Sequence, residues 1–216
     1  MNKMDELVKQ GKAVAARLTE PCNADGLPSP ASWKRAAPLR FSADWLGKNA
    51  DPARETEVRL LWTAEILFLR FRARYRTITV FADAQANGRR DQLWDRDVAE
   101  AFLQPEPSPE RYYKELEVAP NGMWIDLDIS PSGLADLKSG LARSVHIDEG
   151  QRIWVAELAI PLESLTQNFD PQQHWRANFY RVEGRSEPRQ YLAWQPTFTP
   201  KPNFHVPEAF GTLSFI

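Results

Sequence analysis

From residue 58 onward the chain places apolar residues at every second position, and this period-two pattern constrains the fold more than any other feature. Strand side chains alternate between two faces, whereas a helix would repeat its apolar stripe every three to four residues. The run LFLRFRARYR at residues 67–76 shows it plainly, with Arg70, Arg72, Arg74 and Arg76 on one face and Phe71, Ala73 and Tyr75 on the other. An arginine row of this kind reads as the solvated face of a sheet, not as a track for phosphates.

Read this way, residues 58–62 and 65–73 form a hairpin across Thr63-Ala64. Further strands are expected at 77–81, 97–104, 112–118, 123–129, 143–147, 152–159, 175–182, 190–195 and 211–216. Pro120-Asn121-Gly122 marks a turn, and residues 160–165 read as one helical turn with Pro161 near its start. No internal repeat and no strand-helix-strand rhythm is present. The expectation is an all-β protein, an antiparallel β-sandwich of jelly-roll type with roughly ten to twelve short strands. The start is different: residues 4–18 carry Leu7, Val14 and Leu18 on a weak helical stripe, and residues 19–38 are rich in proline and small residues. We therefore expect an N-terminal lead-in over residues 1–32, as a short helix or an extended segment, and one sandwich domain over residues 33–216.

At 216 residues the chain can bury a sizeable core without cross-links, and its single cysteine, Cys22, excludes an intrachain disulfide or a cysteine-based metal site. A net charge of −2 with dispersed basic residues argues against a nucleic-acid partner or an anionic membrane surface. The first twenty residues lack the apolar core of a signal peptide or a membrane span. A cytoplasmic location and an extracellular or periplasmic one after removal of a leader both remain open, as does the oligomeric state. The eight tryptophans are the most informative excess, since they allow an aromatic binding platform beyond what a core needs.

Glu100 shares a strand face with Val98 and Phe102, where a carboxylate needs a partner or a polar ligand. Arg181 poses the same problem beside Trp175, Ala177 and Phe179, so a Glu100–Arg181 ion pair would resolve both. In MWIDLDI, residues 123–129, the expected core face is Met123, Ile125, Leu127 and Ile129. That leaves Trp124, Asp126 and Asp128 as a second candidate sugar surface, with a ring for stacking and carboxylates for hydroxyls. The pairs Asp95/Asp97 and Asp126/Asp128 allow a structural Ca²⁺, although the twelve-residue calcium loop is absent. His146, His174 and His205 lack zinc spacing, and no nucleophile or phosphate-loop motif is found.

The stretches VRLLWTAEILFLRF, LWDRDVAEAF, YYKELEVAPNGMWIDLDI, WVAELAIPLESL, WRANFYRVE and AWQPTFTPKPNFHVPEAFGTLSF, in this order, resemble the family 9 carbohydrate-binding modules and similar bacterial domains. The resemblance implies a β-sandwich that binds mono- or oligosaccharides without catalysis and needs no cofactor, often with bound calcium. It implies that Trp94, six residues before Glu100, forms one aromatic wall and Glu100 one acceptor. The opposite wall precedes the closing P-x-x-F-G, here residues 207–211, where this chain has Phe204 and His205 in place of tryptophan. The family's sugar binders carry an arginine on the strand that here reads ELEV at 115–118, and Arg181 or Arg176 is the available substitute. The candidate site is thus Trp94, Glu100, Asn178, Arg181, Phe204 and His205. Alternatives are a haem-binding redox sandwich using His205 with Met123 or His146, a glycan-active enzyme pairing Glu100 with Asp126 or Asp128, and a protein-assembly domain.

Overall fold

The computed structural model describes residues 11–105 and 111–216. Its strands are β1 (Lys12–Arg17), β2 (Leu39–Phe41), β3 (Thr56–Trp62), β4 (Ile66–Arg74), β5 (Val98–Gln104), β6 (Tyr113–Val118) and β7 (Trp124–Ser130). They continue with β8 (Gly133–Asp136), β9 (Ala142–Asp148), β10 (Ile153–Pro161), β11 (Trp175–Glu183), β12 (Gln190–Ala193) and β13 (Gly211–Phe215). Two single-turn helices, α1 (Pro30–Trp33) and α2 (Leu162–Leu165), and three short 3-10 turns join them, and no helix among the described residues is long and apolar enough to cross a membrane.

The hydrogen-bonded path runs β8-β7-β6-β5-β11-β13-β1-β3-β4-β10-β9, with β12 added to β11 and β2 to β3. The path curls so that β5, β6, β7 and β11 face β3, β4 and β10. The main core shows this directly: Ala101, Leu116, Trp124 and Phe179 from the first half pack in one cluster with Leu60, Leu69, Phe71 and Trp154 from the second. Alternation fixes which residues enter it, because each strand offers every second side chain to the interior. Apolar clusters also cover both outer faces. One lies over β3 and β4 and holds Leu18, Leu27 and Trp33 of the early chain against Leu61 and Phe68. The other lies over β5, β6, β7 and β11, where Phe102, Tyr113, Ile125, Leu127 and Tyr180 meet Phe204 and Phe210.

Three expectations are corrected. The sheet is mixed, not antiparallel, because β1 pairs in parallel with both β13 and β3. The same pairing makes residues 12–17 a strand, so of the two forms expected for the lead-in the helical one is not adopted there, while residues 4–10 lie outside the described residues. Ala13 and Ala15 are weak strand formers, but ladders on both edges satisfy this segment's backbone and override its propensity. Residues 77–81 form no strand; they run as a loop whose Thr79 carbonyl accepts the Asp97 N–H at 2.9 Å. In exchange β1, β2 and β8 appear, bringing the sheet to 13 strands. Gly211, the last residue of P-x-x-F-G, is demanded by packing: a Cβ there would lie 2.6 Å from both the Gly11 carbonyl oxygen and the Trp194 ring.

The expected Glu100–Arg181 pair does not form. In the β5–β11 ladder Glu100 lies opposite Tyr180, and Arg181 lies opposite Ala99. Glu100 and Arg181 therefore project from opposite faces. Arg181 points into the sandwich, where its guanidinium sits 5.1 Å from the Trp154 ring centre, 3.9 Å from Asp97 and 3.6 Å from Glu183. Glu183 accepts from Arg54 Nε at 2.9 Å, and Asp97 accepts the Gly184 N–H at 2.7 Å. Burial presses Asp97 and Arg181 toward neutrality while their mutual attraction resists it. This network ties β11 to the loop before β5 and to residue 54. Arg181→Ala, which strands the carboxylates, is expected to lower the unfolding free energy by about 3–5 kcal/mol. Urea denaturation of Arg181→Ala, Asp97→Ala and the double variant should show the double losing clearly less than the sum of the singles.

Candidate functional site

The outer face of β5, β6 and β11 carries a cleft of about 260 Å³. That is slightly below the roughly 300–1,000 Å³ of pockets for drug-sized ligands. Its floor is Glu100 and Phe102 from β5, Glu115 from β6, Leu127 from β7 and Val182 from β11. Trp94, Arg189 and Tyr191 line one side, and Asn203, Phe204 and His205 another. Trp94 reaches the cleft because Gln92 adopts a left-handed conformation (φ 56°) and turns the chain into a short 3-10 turn over Leu93–Asp95. Leu93 anchors that turn in the apolar cluster, and Arg189 fixes it by donating to the Trp94 carbonyl at 2.8 Å.

The opposite wall is held from below. Phe204 stacks on Tyr180 with ring centres 4.1 Å apart and planes 11° apart. His205 keeps a half-exposed side chain whose Nδ1 lies 2.6 Å from the Tyr113 hydroxyl and 3.9 Å from a Glu115 oxygen. Of the expected site residues, Trp94, Glu100, Phe204 and His205 thus come together. Asn178 and Arg181 do not. Asn178 shares the outer face but is fully buried, with Nδ2 donating to the Tyr180 hydroxyl and the Gln195 carbonyl and Oδ1 accepting from the Phe179 and Gln195 N–H groups. Its hydrogen-bonding capacity is filled by the protein. Arg176, the other suggested arginine, donates to the carbonyls of Glu208 and Phe210.

The secondary surface is not a surface. Trp124 faces the main core, and the expected core face of β7 instead looks toward the cleft. Asp126 is buried, accepting the Ser139 N–H at 2.6 Å with Arg89 at 3.9 Å, and Asp128 pairs with Lys114 at 2.7 Å. Asp126 and Asp128 also lie on the face away from Glu100, because Ile125 and Leu127 are the residues opposite Glu117 and Glu115. The acid/base pairing of Glu100 with either aspartate is therefore not assembled. Asp97 and Asp126 each face an arginine and a backbone N–H, surroundings that oppose a calcium ion.

Period-two reading of one strand at a time missed the most unusual feature. Glu117 lies opposite Glu100, and Glu115 opposite Phe102, so three carboxylates meet on one face with oxygens within 4.8 Å of one another. Their exposures are only 2%, 3% and 1% for Glu100, Glu115 and Glu117. The signal was present in YKELEV, which puts Tyr113, Glu115 and Glu117 on one face. Arg189 and Tyr191 left no such signal, since only the fold brings β12 and its approach to the cleft. Burial drives all three carboxyls above the usual carboxylate range, Glu117 also through Glu100 and Glu115, with Arg189 opposing the rise at Glu100. Tyr113, Tyr180, His205 and Asp95 are the other titratable groups around them.

Raised folded-state values mean that the native state holds more protons than the unfolded chain above the ordinary value of 4.5. The stability this confers is complete below that value and is lost as pH rises through the folded values. Glu117→Gln, which carries no removable proton, should therefore melt at a temperature that gains on the parent from about pH 5 to about pH 8. Thermal melts across that range check this; a variant that loses ground to the parent as pH rises would show Glu117 to be held as a stabilised anion.

Residues 138–215 match the model of a family described as carbohydrate-binding family 9. A relative from Arthroderma benhamiae described as an extracellular protein is 26% identical over 182 residues, covering 76% of this chain and 80% of its own length. Among solved structures, a candidate carbohydrate-binding protein from Bacteroides uniformis aligns with a TM-score of 0.75 at 18% identity, over 96% of this chain and all (100%) of that one. A family 9 module from Caldicellulosiruptor kristjanssonii, solved with cellotriose, gives 0.65 at 13% identity over 95% of this chain and 93% of its own. The same organism's module with glucose gives 0.62 at 12% identity, over 95% and 96%. With this match over its C-terminal part and this fold over nearly its whole length, the chain is similar to the family 9 carbohydrate-binding modules.

Proposed function

We propose that the protein is a non-catalytic carbohydrate-binding module that holds a pyranose ring, free or at the end of a short oligosaccharide, in the cleft between Trp94 and Phe204-His205. The carrying observation is the composition of that cleft: aromatic side chains on its walls and carboxylates on its floor. A pyranose has apolar C–H faces and a rim of hydroxyls, so rings meet its faces and carboxylate oxygens accept from its rim. The glucose and cellotriose bound by similar modules support a saccharide of that size. Phe204 offers less area than a tryptophan and is already stacked on Tyr180, so Trp94 carries most of the stacking.

Calorimetric titration with glucose, cellobiose, cellotriose and other mono- and oligosaccharides tests the reading, since at least one must bind with a stoichiometry near one. Trp94 is only partly buried, so Trp94→Ala is expected to abolish binding while moving the melting temperature by no more than about 4 °C, the equivalent of about 1 kcal/mol. A parent that binds none of the saccharides, together with a large loss of stability in Trp94→Ala, would identify Trp94 as a packing residue and overturn the proposal.

A further inference from the structure

Resting on the carbohydrate reading above, we infer that the cleft is built for an amino sugar, a pyranose whose ammonium group is received by Glu100 and Glu115 at the floor with Glu117 behind them. Oxygens of the three carboxylates converge within 4.8 Å of one another, and Glu100 and Glu115 line the cleft itself. Apart from the contact that Glu115 and Glu117 make with each other, four oxygens here, Glu100 Oε1, Glu115 Oε2 and both of Glu117, are buried without a hydrogen-bond donor. Buried carboxylate oxygens left in that state are costly, so a cluster of them beneath an open cleft is a site awaiting donors.

The protein's own cations donate no hydrogen bond to these four oxygens, although Arg189 acts on Glu100 and His205 on Glu115 through charge. Arg189, the arginine lining the cleft, donates to the Trp94 carbonyl at 2.8 Å and to the Tyr191 hydroxyl at 2.9 Å. Lys114 is paired with Asp128, and Arg181 lies on the other face of β11. The strand at residues 115–118 reads ELEV and brings two more glutamates and no cation. A neutral sugar would supply hydroxyl donors but no charge. An ammonium group supplies three N–H donors and a positive charge together, and charge-assisted bonds of this kind are roughly twice as strong as neutral ones. The rings of Trp94, Tyr191 and Phe204 around the same cleft suit a cation as well as a pyranose face. A bare divalent ion would take oxygen ligands alone and leave those rings without a role.

The test is calorimetry on the intact chain at about pH 6, where an amine is protonated, in buffer containing EDTA, with D-glucosamine, D-glucose, N-acetyl-D-glucosamine and ethanolamine. Glucosamine should bind at least about 10-fold tighter than glucose, and N-acetylation, which removes the charge, should erase the preference. Glu117→Gln, behind the cleft lining and checked for folding by circular dichroism, should lose the preference while keeping glucose affinity within about 3-fold of the parent. Equal affinities for glucosamine and glucose would overturn the inference and leave the carbohydrate reading standing. Ethanolamine binding as tightly as glucosamine, with no binding of glucose, would overturn the carbohydrate reading and with it the amino sugar. Sugar binding that appears only when Ca²⁺ replaces EDTA, without preference for the amine, would assign the three carboxylates to a metal and overturn the inference.

Discussion

The register of β5 against β11 is the constraint on which the rest of the structure depends. Placing Glu100 opposite Tyr180 sends Ala99, Ala101, Phe179 and Arg181 inward, and Glu100, Phe102 and Tyr180 outward. A slip of one residue would turn one strand over relative to the other, setting Glu100 and Arg181 on one face and undoing both of their present surroundings. Inside the sandwich Arg181 finds Asp97 and Glu183, and outside it Glu100 finds two further carboxylates and a cleft.

The two buried charge clusters that result are opposite in character. Around Arg181 the signs alternate, and the network joins strands to loops. Around Glu100 the signs agree, so protons must stand in for the missing cations and burial raises every carboxyl. A like-charged cluster of this sort lowers stability above the ordinary carboxylate range, and natural proteins accept such local costs most often where a ligand is bound.

Apolar packing on the outer face explains how the cleft keeps its shape. Phe204 rests on Tyr180, His205 is held by Tyr113, and Tyr113 stacks on Phe102 at 5.4 Å. Wall and floor therefore share one aromatic cluster, and the loop at residues 202–205 is positioned by the strands it covers. Packing of this kind lets a site on loops hold a defined geometry.

Much was legible in one dimension. Period-two patterning determined the all-β class and most strand positions, because each strand must turn one face inward along its own length. Trp94 and Glu100 both line the cleft, since a short turn leads from one into the strand bearing the other. What the sequence could not decide was which strands are neighbours and which of two apolar faces is the interior. Residues 123–129 show the difficulty: both faces of β7 are buried, so alternation gave the right partition and the wrong side. For Glu100 and Arg181 the same alternation found two misplaced charges but not that they point apart, because that depends on how two strands 80 residues apart in sequence are aligned. The three-glutamate floor, the N-terminal strand between β13 and β3 and the place of Arg189 at the cleft follow from strand pairing over long separations, and only the tertiary structure fixes such pairings.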